Sequence, residues 1–259
     1  MIDLHSHLLP GLDDGARDLG ESVAIARAMV DDGVRTVAAT PHVRHDYPTS
    51  ADAMEAALVL VRDAVVAAGW PLEVLGGGEI ALDALSALAP GARARFGLGG
   101  NARLLLLEVP YEGWPIGLSQ TVFELSVEGV VAVIAHPERN PEVQQRPDLL
   151  ADVVRVGGVV QLTAASIDGR LGRAAARCAR RLLELELAHL VASDAHAPDV
   201  RGAGLSAAVA AVGGGELGAW LTSDVPAALL AGTELPPRPA GRRRRGLRRR
   251  PRMPKRARG

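Results

Sequence analysis

Cysteine occurs once in the 259 residues, at Cys178, and lysine once, at Lys255. A lone thiol excludes an intramolecular disulfide framework and any zinc site built from cysteines. The scarcity of lysine beside 28 arginines reads as codon usage and carries no functional weight. No window reaches the roughly 18 uninterrupted apolar residues that a membrane span needs. The start, Met1-Ile2-Asp3-Leu4-His5, has neither the basic nor the apolar segment of a signal peptide, so a cytoplasmic location is expected. Gly76-Gly77-Gly78 lacks the lysine and the spacing of a nucleotide-binding P-loop.

What is present suits a sizeable core. Hydrophobic residues make up 48% of the chain, enough for one large α/β domain or two small ones. The patterns predict strands at Ile2–His5, Arg35–Thr40, Leu72–Gly76, Leu104–Val109, Val130–Ala135, Val159–Leu162 and Leu190–Ser193. Between them lie helix-length segments at Leu19–Asp32, Ala51–Ala68, Ile80–Leu88, Leu118–Glu128, Leu149–Val156 and Leu171–Glu186, with two more near Leu205–Val212 and Ser223–Leu230. Asp18 and Glu21 have capping-box spacing, and Gly33, Gly69, Gly129 and Gly157 sit where helices would end. Strands alternating with helices about seven times point to a parallel sheet closed as a barrel.

The formal net charge of −1 hides an asymmetry. Arg238 to Arg258 holds twelve of the 29 basic residues and no acidic one, leaving 17 basic against 30 acidic groups elsewhere. An acidic body suits multivalent cations, although acidic surfaces are common. Residues 236–259, mostly Pro, Gly and Arg, have almost nothing to bury and are expected to form a disordered tail. Its arginines suit an anionic membrane surface or an acidic partner; specific nucleic-acid recognition is not expected. A merely solvated extension is the simpler reading.

The ends of the predicted strands carry the chemistry. His5 and His7 are spaced i, i+2, so on a strand both imidazoles project to one side and can share an ion. Asp13-Asp14-Gly15 follows. The second strand leads to His42, the third to Glu79, the fourth ends in Glu108, the fifth leads to His136-Pro137-Glu138-Arg139, and the last to Asp194-Ala195-His196. In a parallel barrel these ends converge on one mouth. Clustered carboxylates repel and raise one another's pKa values, which divalent cations relieve. Mixed imidazole and carboxylate ligands suit Mn, Fe or Zn better than Ca or Mg alone. Singly, each has a plainer reading: Asp13 or Asp14 as a turn, Glu79 as a helix cap, Glu108 as a loop charge. Jointly, ligand-type residues at six of seven strand ends are hard to assign to coincidence. His45 reads as a rim residue, and His189, preceding its strand, as structural.

These motifs resemble the polymerase-and-histidinol-phosphatase (PHP) superfamily, and more narrowly the CpsB/CapC/YwqE type of bacterial protein-tyrosine phosphatase from capsule and exopolysaccharide loci. The resemblance covers roughly Met1 to Leu235. It implies a distorted (β/α)7 barrel binding three divalent ions, usually Mn²⁺, with Fe, Zn or Mg as alternatives. One ion would take His5, His7, Glu79 and Asp194; a second Glu79, Glu108 and His136; a third Asp14, His42 and His196. Arg139 and Arg201 match arginines that bind the substrate phosphate. The implied partner is a tyrosine-phosphorylated protein, in particular a tyrosine kinase controlling polysaccharide assembly. One departure is the segment Thr163-Ala164-Ala165-Ser166, where the family often has Asn after the sixth strand.

A cysteine-dependent phosphatase is excluded, because that chemistry needs Arg six residues after Cys, and here Glu184 follows Cys178. Two other readings stay open at this stage. One is a small-molecule PHP phosphatase acting on histidinol phosphate or a nucleotide, against which the carboxylates at Asp14 and Glu108 speak. The other is a non-catalytic protein that docks a membrane kinase, against which nine matched ligand positions speak.

Overall fold

A computed structural model of the chain describes residues 1–198 and 202–240. The strands are β1 (Ile2–Ser6), β2 (Thr36–Ala39), β3 (His42–Val43), β4 (Glu73–Gly76), β5 (Glu79–Ala81), β6 (Leu104–Glu108), β7 (Val131–Ala135), β8 (Val159–Thr163) and β9 (Leu190–Ala192). All ladder pairings between them are parallel, in two sheets ordered β1-β2-β4 and β3-β5-β6-β7-β8-β9. The sheets are not independent. β2 runs on into β3 through Thr40-Pro41, and β4 into β5 through Gly77-Gly78, so two passes of the chain belong to both. At the other side β9 meets β1: His7 N–H donates to Ala195 O at 2.8 Å and Asp194 N–H to His5 O at 2.9 Å.

Covered by helices, the central strands read as unbroken apolar runs. Every residue of β6 is buried, and Leu104, Leu105, Leu106 and Leu107 are among the most deeply buried side chains. Burying each is worth about 2 kcal/mol. The helix Leu19–Asp31 starts where Asp18 accepts from Glu21 N–H at 3.0 Å, as the spacing predicts. The reciprocal half of the box differs, since the Glu21 carboxylate accepts from Arg17 N–H at 2.9 Å. Gly33, Gly69, Gly129 and Gly157 all take positive φ at helix ends, as their placement predicts.

The helix predicted from Ile80 to Leu88 needs correction. Glu79, Ile80 and Ala81 form a strand, pairing with β6, and β3 joins them on the other side; only Leu82–Leu85 is helical. A sheet position overrides helical periodicity here. Short helices at Pro90–Arg95, Pro141–Gln145 and Gly215–Ala219 were not signalled by periodicity. Two residues of the segment expected to be tail make defined contacts. Pro236 O accepts from Trp220 Nε1 at 2.9 Å, and the Arg238 guanidinium donates to Leu183 O and Ala188 O at 3.0 and 2.8 Å while covering the Trp220 ring. Those contacts tie Pro236 to Trp220 and Arg238 to the C-terminal end of the helix Arg173–Glu184. The remaining arginine runs, and Arg201, lie outside the described residues. No helix among the described residues is long and apolar enough to cross a membrane.

Candidate metal centre

Because the strands are parallel, their C-terminal ends share one rim, and the residues expected there meet on it. His5 and His7 leave the end of β1, His42 opens β3, Glu79 opens β5, Glu108 closes β6, and His136 follows β7. Asp194 and His196 follow β9, and Asp14 comes from the loop after β1. All except Asp14 are buried. The i, i+2 histidines do face one way: their Nε2 atoms stand 3.1 Å apart. Glu79 Oε2 lies 3.3 Å from each of those nitrogens, and Asp194 Oδ1 3.4 Å from each. Neighbouring ligands on one ion with bonds near 2.1 Å stand about 3.0–3.4 Å apart.

Glu79 is the hub. Its second oxygen lies 2.8 Å from His136 Nε2, and Oε2 also lies 2.9 Å from His42 Nδ1. Despite that spacing, His42 Nδ1 and Glu79 Oε2 are buried atoms that make no directed hydrogen bond. Buried polar atoms seldom go unsatisfied, and an imidazole nitrogen and a carboxylate oxygen converging without a directed hydrogen bond suit a cation between them. Asp14 Oδ1 lies 3.4 Å from His42 Nε2 and 3.3 Å from His196 Nε2.

Ligand atoms lie mutually within 4.8 Å in four sets among the described residues: His7-Asp14-His42-His196, His5-His7-Asp194, His5-Glu79-His136 and His42-Glu79-Glu108. Asp14, His42 and His196 come together with His7 added, and His5, His7 and Asp194 come together with Glu79 outside their set. The trio Glu79, Glu108 and His136 is divided, with Glu79 shared between two sets. Arg44 stands beside Glu108: its Nη1 lies 3.4 and 3.3 Å from the two Glu108 oxygens, and Glu108 Oε2 lies 3.6 Å from His42 Nδ1.

A surrounding layer holds the imidazoles in place. His7 Nδ1 meets Asp13 Oδ2 at 2.7 Å, His5 Nδ1 meets Gln161 Oε1 at 2.9 Å, and His196 Nδ1 meets Asp194 O at 3.0 Å. Such partners on the far nitrogen fix the tautomer and aim of a ligating histidine. Asp13 also accepts from Gly15 N–H and His42 N–H, at 2.9 Å each. Gly15 must be glycine, since a Cβ there would lie 2.1 Å from His7 O. His136 and Asp194 take left-handed backbone, φ 34° and 53°, at a cost of about 1–3 kcal/mol each. Left-handed backbone at two candidate ligand positions, after β7 and after β9, fits a functional rim.

The electrostatics agree. Burial pulls His42 down, but Asp14 and Glu79 outweigh it and hold the imidazole at about 9. Burial pushes His136 down to about 4 against the pull of Glu79, leaving a neutral ring with a lone pair to offer. Burial raises the Glu108 carboxyl, and the neighbouring Glu79 charge adds to it. Protons on the histidines and divalent cations between them are alternative ways to offset the same carboxylates.

Arg139 Nη1 donates to Asp194 Oδ2 at 2.5 Å, with its guanidinium 5.1 Å above the Tyr111 ring centre. Asn140 caps the helix Pro141–Gln145 and donates to Pro110 O and Gly113 O, fixing the Tyr111 loop. Sequence reasoning passed over Arg44, the supporting role of Asp13, and Gln161. The signal for Gln161 was a polar residue in the buried run Val159–Thr163, at the one strand end credited with no ligand. His45 lines the cleft beside Glu108, and His189 Nδ1 accepts from Val160 N–H at 3.1 Å, both as expected. Thr163, in the departing segment, donates its N–H to Glu138 at 2.9 Å.

Fold and rim together define a class: an α/β protein with imidazole–carboxylate clusters at the carboxyl ends of parallel strands. The family described as capsular polysaccharide synthesis, CpsB/CapC, matches residues 1–216, and the chain belongs to it. The tyrosine-protein phosphatase YwqE of Bacillus subtilis (strain 168) is 37% identical over 197 residues, covering 76% of this chain and 77% of the relative. The tyrosine-protein phosphatase CpsB of Streptococcus pneumoniae is 29% identical over 213 residues, 78% of this chain and 85% of that one. A crystal structure from work on YwqE of Bacillus subtilis and CpsB of Streptococcus pneumoniae, described as metal-dependent tyrosine phosphatases, matches with a TM-score of 0.84 at 34% identity, covering 93% of this chain and all of that one.

Proposed function

We propose that the chain is a metal-dependent protein-tyrosine phosphatase, built as a distorted (β/α)7 barrel with its active centre at the carboxyl ends of the strands. The observation that carries this is Glu79, one buried carboxylate faced by four imidazole nitrogens at 2.8–3.3 Å. The ligand chemistry fits divalent ions, with Mn²⁺ favoured and Fe, Zn or Mg as alternatives. His5, His7, Glu79 and Asp194 would hold one; Glu79 with His136 a second, to which the resemblance adds Glu108; Asp14, His42 and His196 a third. Ions bound there supply Lewis acidity toward the phosphoryl group and lower the pKa of water to about 7.

The chain's own groups do the rest. The Arg139 guanidinium, held over the rim by Asp194 and Tyr111, has the planar fork that suits phosphoryl oxygens. Neutral His136 serves as a ligand and cannot compete for the proton. A phenolate leaves with a pKa of about 10, so little acid assistance is needed. Beside Glu108 opens a cleft of about 300 Å³ whose walls include Ala81, Leu82, Pro110 and Tyr111, apolar surface suited to a phenyl ring.

Family context favours a phosphorylated tyrosine kinase of polysaccharide assembly as the partner. The test is metal analysis of purified protein with His136→Ala assayed on a phosphotyrosyl peptide and on histidinol phosphate. The reading expects activity on the peptide, little on histidinol phosphate, and loss of both activity and metal in the variant. Full activity in a metal-poor, folded variant would overturn it.

A further inference from the structure

A groove of about 450 Å³ opens between the helices Pro141–Gln145 and Arg173–Glu184. Arg177 and Arg181 line one side, Gln144 and Gln145 the other, and no carboxylate is among the described residues that line it. Arg173, Arg177 and Arg181 recur every four residues, so they form one stripe along the helix, and all three are exposed. Arg181 leans on Glu184 at 3.3 Å, a pair more than half exposed on both sides and therefore weak. A basic groove in a body of 17 basic against 30 acidic groups is a local inversion of charge.

The groove adjoins the active centre through one side chain. Gln144 Nε2 donates to Glu138 O at 3.0 Å and to Arg139 O at 3.4 Å, the turn that sets Arg139 on Asp194. The helix Pro141–Gln145 that forms one wall of the groove begins two residues after Arg139, so the groove and the phosphate-facing arginine share one short segment of chain. Its concave shape suits an extended peptide better than a flat membrane surface. We propose that the groove binds an acidic stretch of the phosphoprotein substrate, flanking the target tyrosine, through Arg177 and Arg181. The flanking role rests on the phosphatase reading above; the groove's charge preference does not.

Two measurements on the full metal-loaded chain separate the two ideas. The first is binding, by fluorescence anisotropy, of a labelled acidic peptide with Phe at the tyrosine position, to wild type and to Arg177→Ala/Arg181→Ala. The expected result is about tenfold weaker binding in the variant, and loss of wild-type binding at high salt. The second compares phosphotyrosyl peptides with acidic and neutral flanks. The variant should lose about tenfold in kcat/KM on the acidic peptide through KM, with kcat and the rate on p-nitrophenyl phosphate unchanged. Less than a twofold change in both the binding and the flank preference would overturn the proposal. So would variant-sensitive binding to anionic lipid vesicles without any to the peptide. Absent phosphatase activity with intact, arginine-dependent peptide binding would sink the enzymatic reading and leave the groove standing.

Discussion

The two ends of the parallel strands differ in how they satisfy polar groups. At the carboxyl ends, buried histidines and carboxylates face one another, two of them on left-handed backbone. At the amino ends, polar groups find backbone partners: the Met1 ammonium donates to Gly33 O at 3.1 Å, Arg35 N–H to Met1 O at 2.9 Å, and His189 Nδ1 accepts from Val160 N–H. One end pairs its polar groups with backbone; the other gathers acids and imidazoles whose charges protons or divalent cations must offset. Separating stability from chemistry in this way is what the parallel α/β architecture permits.

The sharpest way to break that contrast is to take the cations away. Exhaustive chelation should abolish hydrolysis of a phosphotyrosyl peptide and lower the melting temperature, with both restored by adding back Mn²⁺. If activity survives chelation, the rim is as self-sufficient as the opposite end and the contrast fails. Next in size is Glu79→Gln. Losing the charge that four imidazoles share should cost about a thousandfold or more in kcat/KM and reduce the bound metal measured per chain, while circular dichroism stays native. A loss under tenfold would mean that Glu79 is a structural acid.

A smaller effect is expected one layer out. Asp13→Asn and Gln161→Ala leave every candidate ligand in place but loosen the far nitrogens of His7 and His5. Metal titration should show affinity reduced about 10–100-fold, with activity recovered at high metal concentration. Unchanged affinity would confine the centre to its direct ligands.

Much of the rim was legible because ligand-type residues interrupt apolar runs where strands stop, as His42, Glu79, Glu108 and His136 do. Strand identity near them was less so. Ile80 and Ala81 look helical in sequence, yet β6 pairs with both and β3 with Ile80, a non-local pairing that periodicity cannot contain. The division of Glu108 from His136 was also out of reach. It is a matter of where side chains such as Glu108 and its neighbour Arg44 point, and side-chain reach leaves no mark at a fixed spacing. Pro236 and Arg238 read as tail because their partners, Trp220 and the carbonyls of Leu183 and Ala188, are tertiary contacts.

The smallest predicted effect belongs to the opposite end, and its sign distinguishes the two. Burial, with Arg238 nearby, pushes His189 down to about 4. An unfolded histidine titrates near 6.5, so below that pH the unfolded chain binds a proton that the folded chain refuses. The contribution of His189 is therefore flat above pH 6.5 and becomes progressively destabilising as pH falls toward 4. Between pH 7.5 and 5 it amounts to about 2 kcal/mol. His189→Asn keeps an acceptor for Val160 N–H and has nothing to titrate, so urea midpoints of variant and wild type should converge, or cross, as pH drops. Activity at pH 7.5 should stay within about twofold, since no candidate ligand is touched. If the variant loses stability with acid as steeply as the wild type, the acid sensitivity of this fold lies in the rim, and the amino end is electrostatically silent.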